Sequence, residues 1–144
     1  DMKEDIRVVQ GVTSSISAAA SLGAPLMHDF CQISLSDLMT DWSLIEKRLE
    51  LASMADFVIC IYNPKSKGRP NHLKRAFEIM QAYKPATTPV GIVKNAGRIN
   101  EEKYIRTLET MDFEVCDMST MIIVGNKETY IDGDKIITPR GYGI

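Results

Sequence analysis

The sequence of 144 residues contains two histidines, one tryptophan and three cysteines, and that scarcity removes several kinds of chemistry. His28 and His72 stand apart and no Cys-x-x-Cys pair occurs, which argues against a metal or redox centre. Cys31, Cys60 and Cys116 are far apart and odd in number, two of them inside apolar runs, so they read as buried, reduced thiols of a cytosolic protein. No apolar run approaches the roughly 20 residues of a membrane span, and no signal-peptide pattern is present. The expected location is cytoplasmic, with no membrane partner. A net charge of -2 carries no strong excess of one sign, and nucleic-acid binding normally needs a concentrated basic surface, so nucleic acid is not an expected partner. Neither G-x-x-x-x-G-K-[ST] nor a helix-opening G-x-G-x-x-G follows a strand. There is no nucleophile elbow for a Ser-His-Asp hydrolase.

What is present is enough apolar residue, 44%, to bury the core of one domain without disulfides or metal. No internal repeat, low-complexity tract or linker divides the chain. Its charged lead, residues 1–5, runs straight into a strand-like segment at 6–9, compatible with a natural start or with a cut through a longer protein. The most informative stretch is 56–70, DFVICIYNPKSKGRP, an apolar run emptying into a basic, proline-bounded loop. Phe57, Val58, Ile59, Cys60, Ile61 and Tyr62 lack polar alternation, which fits a strand covered on both faces. Ligands of α/β sheets collect beyond the carboxyl ends of the strands, where Asn63, Lys65, Lys67 and Arg69 fall.

In chain order, residues 14–22 form an alanine- and serine-rich helix, N-capped by Thr13 or Ser14 and stopped by Gly23 and Pro25. Its small residues allow close approach either to the core or to a ligand. Residues 30–35 form a second strand. After Thr40 as N-cap, Trp42, Ile45, Leu49 and Ala52 mark an amphipathic helix over 41–55, with Trp42 read as an anchor at the helix start. Pro70 opens a further helix whose stripe is Leu73, Ala76, Phe77, Met80 and Tyr83. Residues 89–94 and 120–124 are buried strands ending in Asn- and Gly-containing turns. Segment 101–111 is expected to be strand, then helix. Asp132-Gly133 between apolar pairs signals a hairpin, which would make the sheet mixed. The fold class is therefore α/β, with a mixed, mostly parallel sheet flanked by helices. The ends of strands 57–62 and 89–94 open on one sheet edge.

Spacing alone leaves the basic loop ambiguous. Lys65, Lys67 and Arg69 alternate with small residues, so an extended backbone aligns three cations toward a polyanion. A solvated loop is the competing reading. Asn63 precedes Pro64 and is held out of the α region, which fixes its direction.

GVTSSISAAASLGAPLMHDF, ISLSDLMTDWSLIEKRL, ADFVICIYNPKSKGRP, PVGIVKNAGR and TMIIVGNKETYIDGDKIITPRGY, in this order, resemble the (cobalt-)precorrin-3B C17-methyltransferases of the tetrapyrrole methylase family. The likeness runs from about residue 8 to residue 142. YNPKSKGRP and the terminal TPRGY are its distinctive parts. The family's first turn normally reads Pro-Gly-Val-Thr, and Gln10 replaces that proline here. The family's N-terminal domain with its G-x-G-P-G loop has no counterpart, so residues 1–144 resemble the C-terminal domain, with a connecting segment at about 1–30.

The resemblance implies a cytoplasmic, homodimeric enzyme of cobalamin (vitamin B12) synthesis. Such an enzyme transfers a methyl group from S-adenosyl-L-methionine to C17 of a tetrapyrrole, with ring contraction, and releases S-adenosyl-L-homocysteine. Its cofactor contacts fall on Thr13, Ser14, Tyr62, Asn63, Asn95, Ala96, Thr120 and Met121, and charge points Lys65, Lys67 and Arg69 toward the carboxylates of the substrate. No metal site is implied. The acid/base of ring contraction is not assigned among Asp37, His28 and Tyr62. A non-catalytic ligand-binding or dimerisation domain is the alternative, because half of the expected cleft lies outside the chain.

Overall fold

The computed structural model describes residues 15–64 and 71–140. The expected strand at 6–9, the capping residues Thr13 and Ser14, and Pro70 lie outside them. Helix α1 covers residues 15–22. It is followed by β1 (Gly23–Ala24), β2 (Phe30–Ser34), α2 (Trp42–Met54), β3 (Val58–Tyr62), α3 (His72–Gln81), β4 (Pro89–Lys94) and β5 (Glu102–Thr107). A 3₁₀ turn at Phe113–Val115 precedes β6 (Thr120–Val124), β7 (Tyr130–Asp132) and β8 (Lys135–Ile137).

The three runs without polar alternation, β3, β4 and β6, are the interior strands of a five-stranded sheet ordered β2-β3-β6-β4-β5. Side chains alternate across a strand, and the sheet sorts them into two layers. Ile59, Ile61, Ile92, Ile122 and Val124 face α2 and α3, joining Ile45, Leu49, Leu73, Phe77 and Met80 in the larger core. Val58, Cys60, Val93, Met121 and Ile123 face α1 and the second sheet, meeting Ala18, Leu22 and Ile136. At roughly 1.5–3 kcal/mol for each fully buried aliphatic side chain, these two layers hold the sheet between its covers.

The mixed α/β character is as expected, but the predominance of parallel pairing is corrected. Among the described residues only β2 and β3 pair in parallel in this sheet, while β6 runs antiparallel to both β3 and β4, and β5 antiparallel to β4. Parallel neighbours need a crossover, usually a helix, and the expected helix after β5 is absent. The backbone N–H groups of Leu108 and Glu109 donate to Thr88 and Ala86, and Thr107 N–H donates to Thr110 Oγ1, which closes a turn and leaves no helical ladder. The chain returns as an antiparallel strand instead. The hairpin β7–β8 forms as expected around Gly133 (φ 62°), yet it lies in a separate three-stranded sheet, β1-β8-β7, so the mixing of the main sheet comes from β5 and β6.

Helix α2 buries Ile45, Leu49 and Ala52, the expected stripe. Its N-cap is Asp41, without a side-chain capping bond, and not Thr40. Trp42 stacks on His72 with ring centroids 3.7 Å apart, so it is the anchor expected of it, tying α2 to the start of α3. Tyr83 falls beyond the end of α3 and is half-exposed, because the helix stops two residues before it. The next residue, Lys84, is buried. Its ammonium donates to the carbonyls of Phe57 (2.8 Å) and Gly125 (2.9 Å) and pairs with Asp56 Oδ1 at 3.3 Å. Burial lowers the Lys84 pKa, against the attraction of Asp56.

Cys60 and Cys116 are buried, Cys31 is half-buried, and all three are free thiols. Burial first, and the neighbouring Cys31 second, push the Cys60 thiol up to about 12, so it stays protonated and unreactive.

Candidate functional site

Since β3 and β4 both run antiparallel to the strand between them, they point the same way and end at the same edge. The strand separating them begins at that edge, where Lys94 pairs with Thr120 and Val93 with Met121. The antiparallel β6 is thus what places Thr120 and Met121 beside Asn95. Two strand spacings, roughly 10 Å, separate the ends of β3 and β4.

Each of those ends turns through an asparagine in the left-handed region, Asn63 at φ 51° and Asn95 at φ 53°. Asparagine tolerates this conformation better than any other residue except glycine, because its short side chain bonds locally. Asn63 Nδ2 donates to Ser34 Oγ at 3.1 Å, and the same hydroxyl accepts from Ser36 N–H at 3.2 Å, so the ends of β2 and β3 are pinned together. The Asn95 N–H donates to Ser119 O at 3.2 Å and its carbonyl accepts from Arg98 N–H at 3.0 Å.

Helix α1 crosses this edge on one face. Ser15 Oγ donates to Gln32 Oε1 at 2.6 Å and contacts Met121 Sδ at 3.7 Å. Further along, a Cβ on Gly97 (φ 79°) would come within 3.3 Å of Ser17 Oγ. The buried residues Ser15, Ala18 and Leu22 make α1 a closely packed core helix, the first of its two expected readings. Tyr62, Ala96 and Met121 pack in the layer beneath it.

The turn before β6 is a local hydrogen-bond knot. Asp117 Oδ1 accepts from Ser119 N–H (2.8 Å), Ser119 Oγ (2.7 Å) and Thr120 Oγ1 (3.1 Å), and its other oxygen pairs with Lys94 at 3.3 Å. Burial raises its pKa, but the bonds from Ser119, Thr120 and Lys94 together outweigh burial and hold the carboxyl at about 2 instead of its ordinary 3.8. The Thr120 hydroxyl is engaged here, and its backbone N–H donates to Asp117 O at 3.3 Å. A depressed carboxyl pKa stabilises the fold above about pH 4, and that contribution disappears as pH falls toward 2. Wild type and Asp117→Asn, unfolded in urea from pH 2 to 6, should therefore differ most at pH 5–6, by at most about 1 kcal/mol after solvent screening, and converge near pH 2. A gap that widens on acidification would contradict the assignment.

Of the sequence-derived site residues, Tyr62, Asn63, Asn95, Ala96, Thr120 and Met121 come to this one edge. Thr13, Ser14, Lys65, Lys67 and Arg69 lie outside the described residues. Tyr62 and Asn63 line a cavity of about 390 Å³ together with Gln32, Ser34, Ser36 and Arg48, whereas the other four lie beyond its lining. The sequence reading did not anticipate the roles of Gln32, Ser34 and Asp117. For Gln32 and Ser34 the signal is faint, their alternation with Cys31 and Ile33 in FCQIS marking only a half-covered strand. Among the described residues no group of three or more His, Cys, Asp or Glu could hold a metal ion, and no helix is long and apolar enough to cross a membrane.

Comparison with known proteins places this geometry. Residues 2–112 match the family described as Tetrapyrrole (Corrin/Porphyrin) Methylases. The chain is 60% identical over 138 residues to a probable cobalt-factor III C(17)-methyltransferase of Salmonella typhimurium, covering 96% of this chain and 57% of that protein. It is 45% identical over 143 residues to a precorrin-3B C(17)-methyltransferase of a Sinorhizobium species, covering 96% and 56%. The crystal structure of the methyltransferase CobJ superposes with a TM-score of 0.83 at 35% identity, over 87% of this chain and 52% of that one. The chain thus spans little more than half the length of these relatives. The match over residues 2–112, with the structural likeness to CobJ, makes this chain a member of the tetrapyrrole methylase family.

Proposed function

We propose that the chain is the C-terminal domain of an S-adenosyl-L-methionine-dependent C-methyltransferase of cobalamin biosynthesis. The acceptor is C17 of a (cobalt-)precorrin-3-type tetrapyrrole, methylated with contraction of the ring. The supporting observation is the convergence of two left-handed asparagines, Asn63 and Asn95, on one edge across the start of β6. The relatives matched along nearly the whole chain carry C(17)-methyltransferase names.

The residues present fit an adenosyl ligand. The backbone of Asn95 is bonded to Ser119 and Arg98, so the groups able to read an adenine edge are those of the neighbouring Ala96, which is also small enough to admit a flat ring. The Asn95 carboxamide has no hydrogen-bond partner among the described residues, which leaves it available for a ligand. When bound, S-adenosyl-L-methionine supplies the sulfonium methyl. The chain's part is to hold the acceptor carbon in line with the S–CH₃ bond, so positioning within a closed cleft carries most of the catalysis. Tyr62, at the last position of β3 beside Asn63, belongs to that positioning wall. The second wall is the N-terminal, Gly-rich-loop domain of the family, and the working enzyme is a cytoplasmic homodimer.

In the complete two-domain enzyme, Asn95→Asp and Ala96→Trp should each weaken S-adenosyl-L-homocysteine binding by at least about tenfold, equivalent to 1.4 kcal/mol. Residues 1–144 alone should bind it weakly or not at all and show no turnover. Calorimetry giving unchanged affinity in both variants would remove the site from this edge. Turnover by the isolated chain would refute the two-wall cleft.

A further inference from the structure

Beside the cofactor edge lies a second feature, the groove between the β2–α2 connection (residues 35–41) and the end of β3. Its lining combines hydroxyls and amides, from Ser34, Ser36, Thr40, Gln32 and Asn63, with one cation, Arg48, above a floor of buried Ile45. A volume of about 390 Å³ is at the lower end of small-ligand sites. A neighbouring groove of about 640 Å³ shares Met39, Thr40 and Arg48 with it and adds Lys47 and the carboxylate of Asp41. Met39, which lines both grooves, and the preceding Leu38 stand out into solvent, 96% and 86% exposed. The nearby Glu46 does not compete for Arg48, because it is paired with Arg75 at 2.8 Å.

From this arrangement we infer that the β2–α2 groove takes a carboxylate-bearing arm of the anionic macrocycle, with Arg48 as ion-pair partner, Gln32 and Ser36 as hydrogen-bond donors, and Leu38–Met39 against the apolar ring. The inference rests on the tetrapyrrole reading above and adds a subsite to it. A guanidinium grips a carboxylate through two parallel N–H bonds, more strongly than a neutral donor does. Gln32 is preset for this, since Ser15 Oγ occupies its Oε1 at 2.6 Å and leaves the Nε2 hydrogens to point elsewhere. An unbranched methionine adapts its surface to a flat ligand. Asp41 lines the second groove but not the first and would repel a carboxylate there, which favours the position beside Ser34 and Ser36.

The test uses uroporphyrin III, an octacarboxylic tetrapyrrole, titrated into the 144-residue chain and followed by quenching of its fluorescence. Arg48→Gln should raise Kd by about tenfold or more, Arg48→Lys by less, and Lys127→Gln, an equal charge change at the opposite sheet edge, by under about twofold. The chain should also bind more weakly as salt rises. Equal losses in Arg48→Gln and Lys127→Gln, or no loss in Arg48→Gln, would overturn the groove while leaving the tetrapyrrole reading intact. No binding by the wild-type chain would overturn the groove as a subsite of this domain, whereas the tetrapyrrole reading falls only if the complete two-domain enzyme also fails to bind.

Discussion

Lys84→Met is expected to remove about 3 kcal/mol of folding stability, seen as a lower urea midpoint with an unchanged denaturant slope. Methionine keeps most of the aliphatic volume, so the loss isolates the ammonium. That group serves three acceptors at once, Phe57 O, Gly125 O and Asp56 Oδ1, at the edge of the sheet opposite the site. Its removal leaves two carbonyls without their donor and a carboxylate without its counter-ion. Asp56 is itself strained at φ 58°, and its second oxygen accepts from Lys127 N–H at 3.0 Å, so the same loss loosens the start of β3 and the turn after β6 together. A change below about 1 kcal/mol would mean that solvent or a shifted Lys127 replaces the ammonium.

The second large effect is expected at Gly91, in the middle of β4. A Cβ there would press against Leu22 Cδ1 and stand 2.9 Å from Leu22 Cδ2 and 3.0 Å from Ile136 Cδ1. Both neighbours are fully buried, so neither has room to retreat. Gly91→Val should cost about 3 kcal/mol, the upper range for overpacking. It should also lift α1 off the sheet, the helix whose first serine holds Gln32. In the Gly91→Val background, Leu22→Ala should cost less than it does in wild type, because the smaller side chain vacates the contested space. Additive losses in that double-mutant cycle would show that the two positions do not meet.

How far the sequence could be read depended on whether a residue's role is local. Residues 89–94 and 120–124 announce themselves as strands because each is an unbroken apolar run with a turn at its end, and the structure places strands at those residues. Nothing in TMIIV says which way it runs, since an apolar strand buried on both faces has no polarity. The antiparallel insertion of β6 is a property of the sheet as a whole. Asn63 and Asn95 were legible from turn chemistry at strand ends. Gln32 and Ser34 were not, because on an edge strand a polar residue looks the same whether it meets water or a helix. Lys84 gave no sign either. A lysine between Tyr83 and Pro85 reads as a solvated helix end, and only the convergence of Phe57 and Gly125 makes it interior.

The insertion of β6 between β3 and β4 also governs when the site can exist. These two strands never bond to each other; both wait for a partner that pairs Ile123 with Cys60, 63 positions earlier in the chain. Contacts of such separation carry the loop-closure cost that slows folding. During synthesis the two asparagine turns therefore emerge long before they can be held side by side. The proposed cofactor edge is completed only when β6 docks, which couples its appearance to the closing step of the sheet.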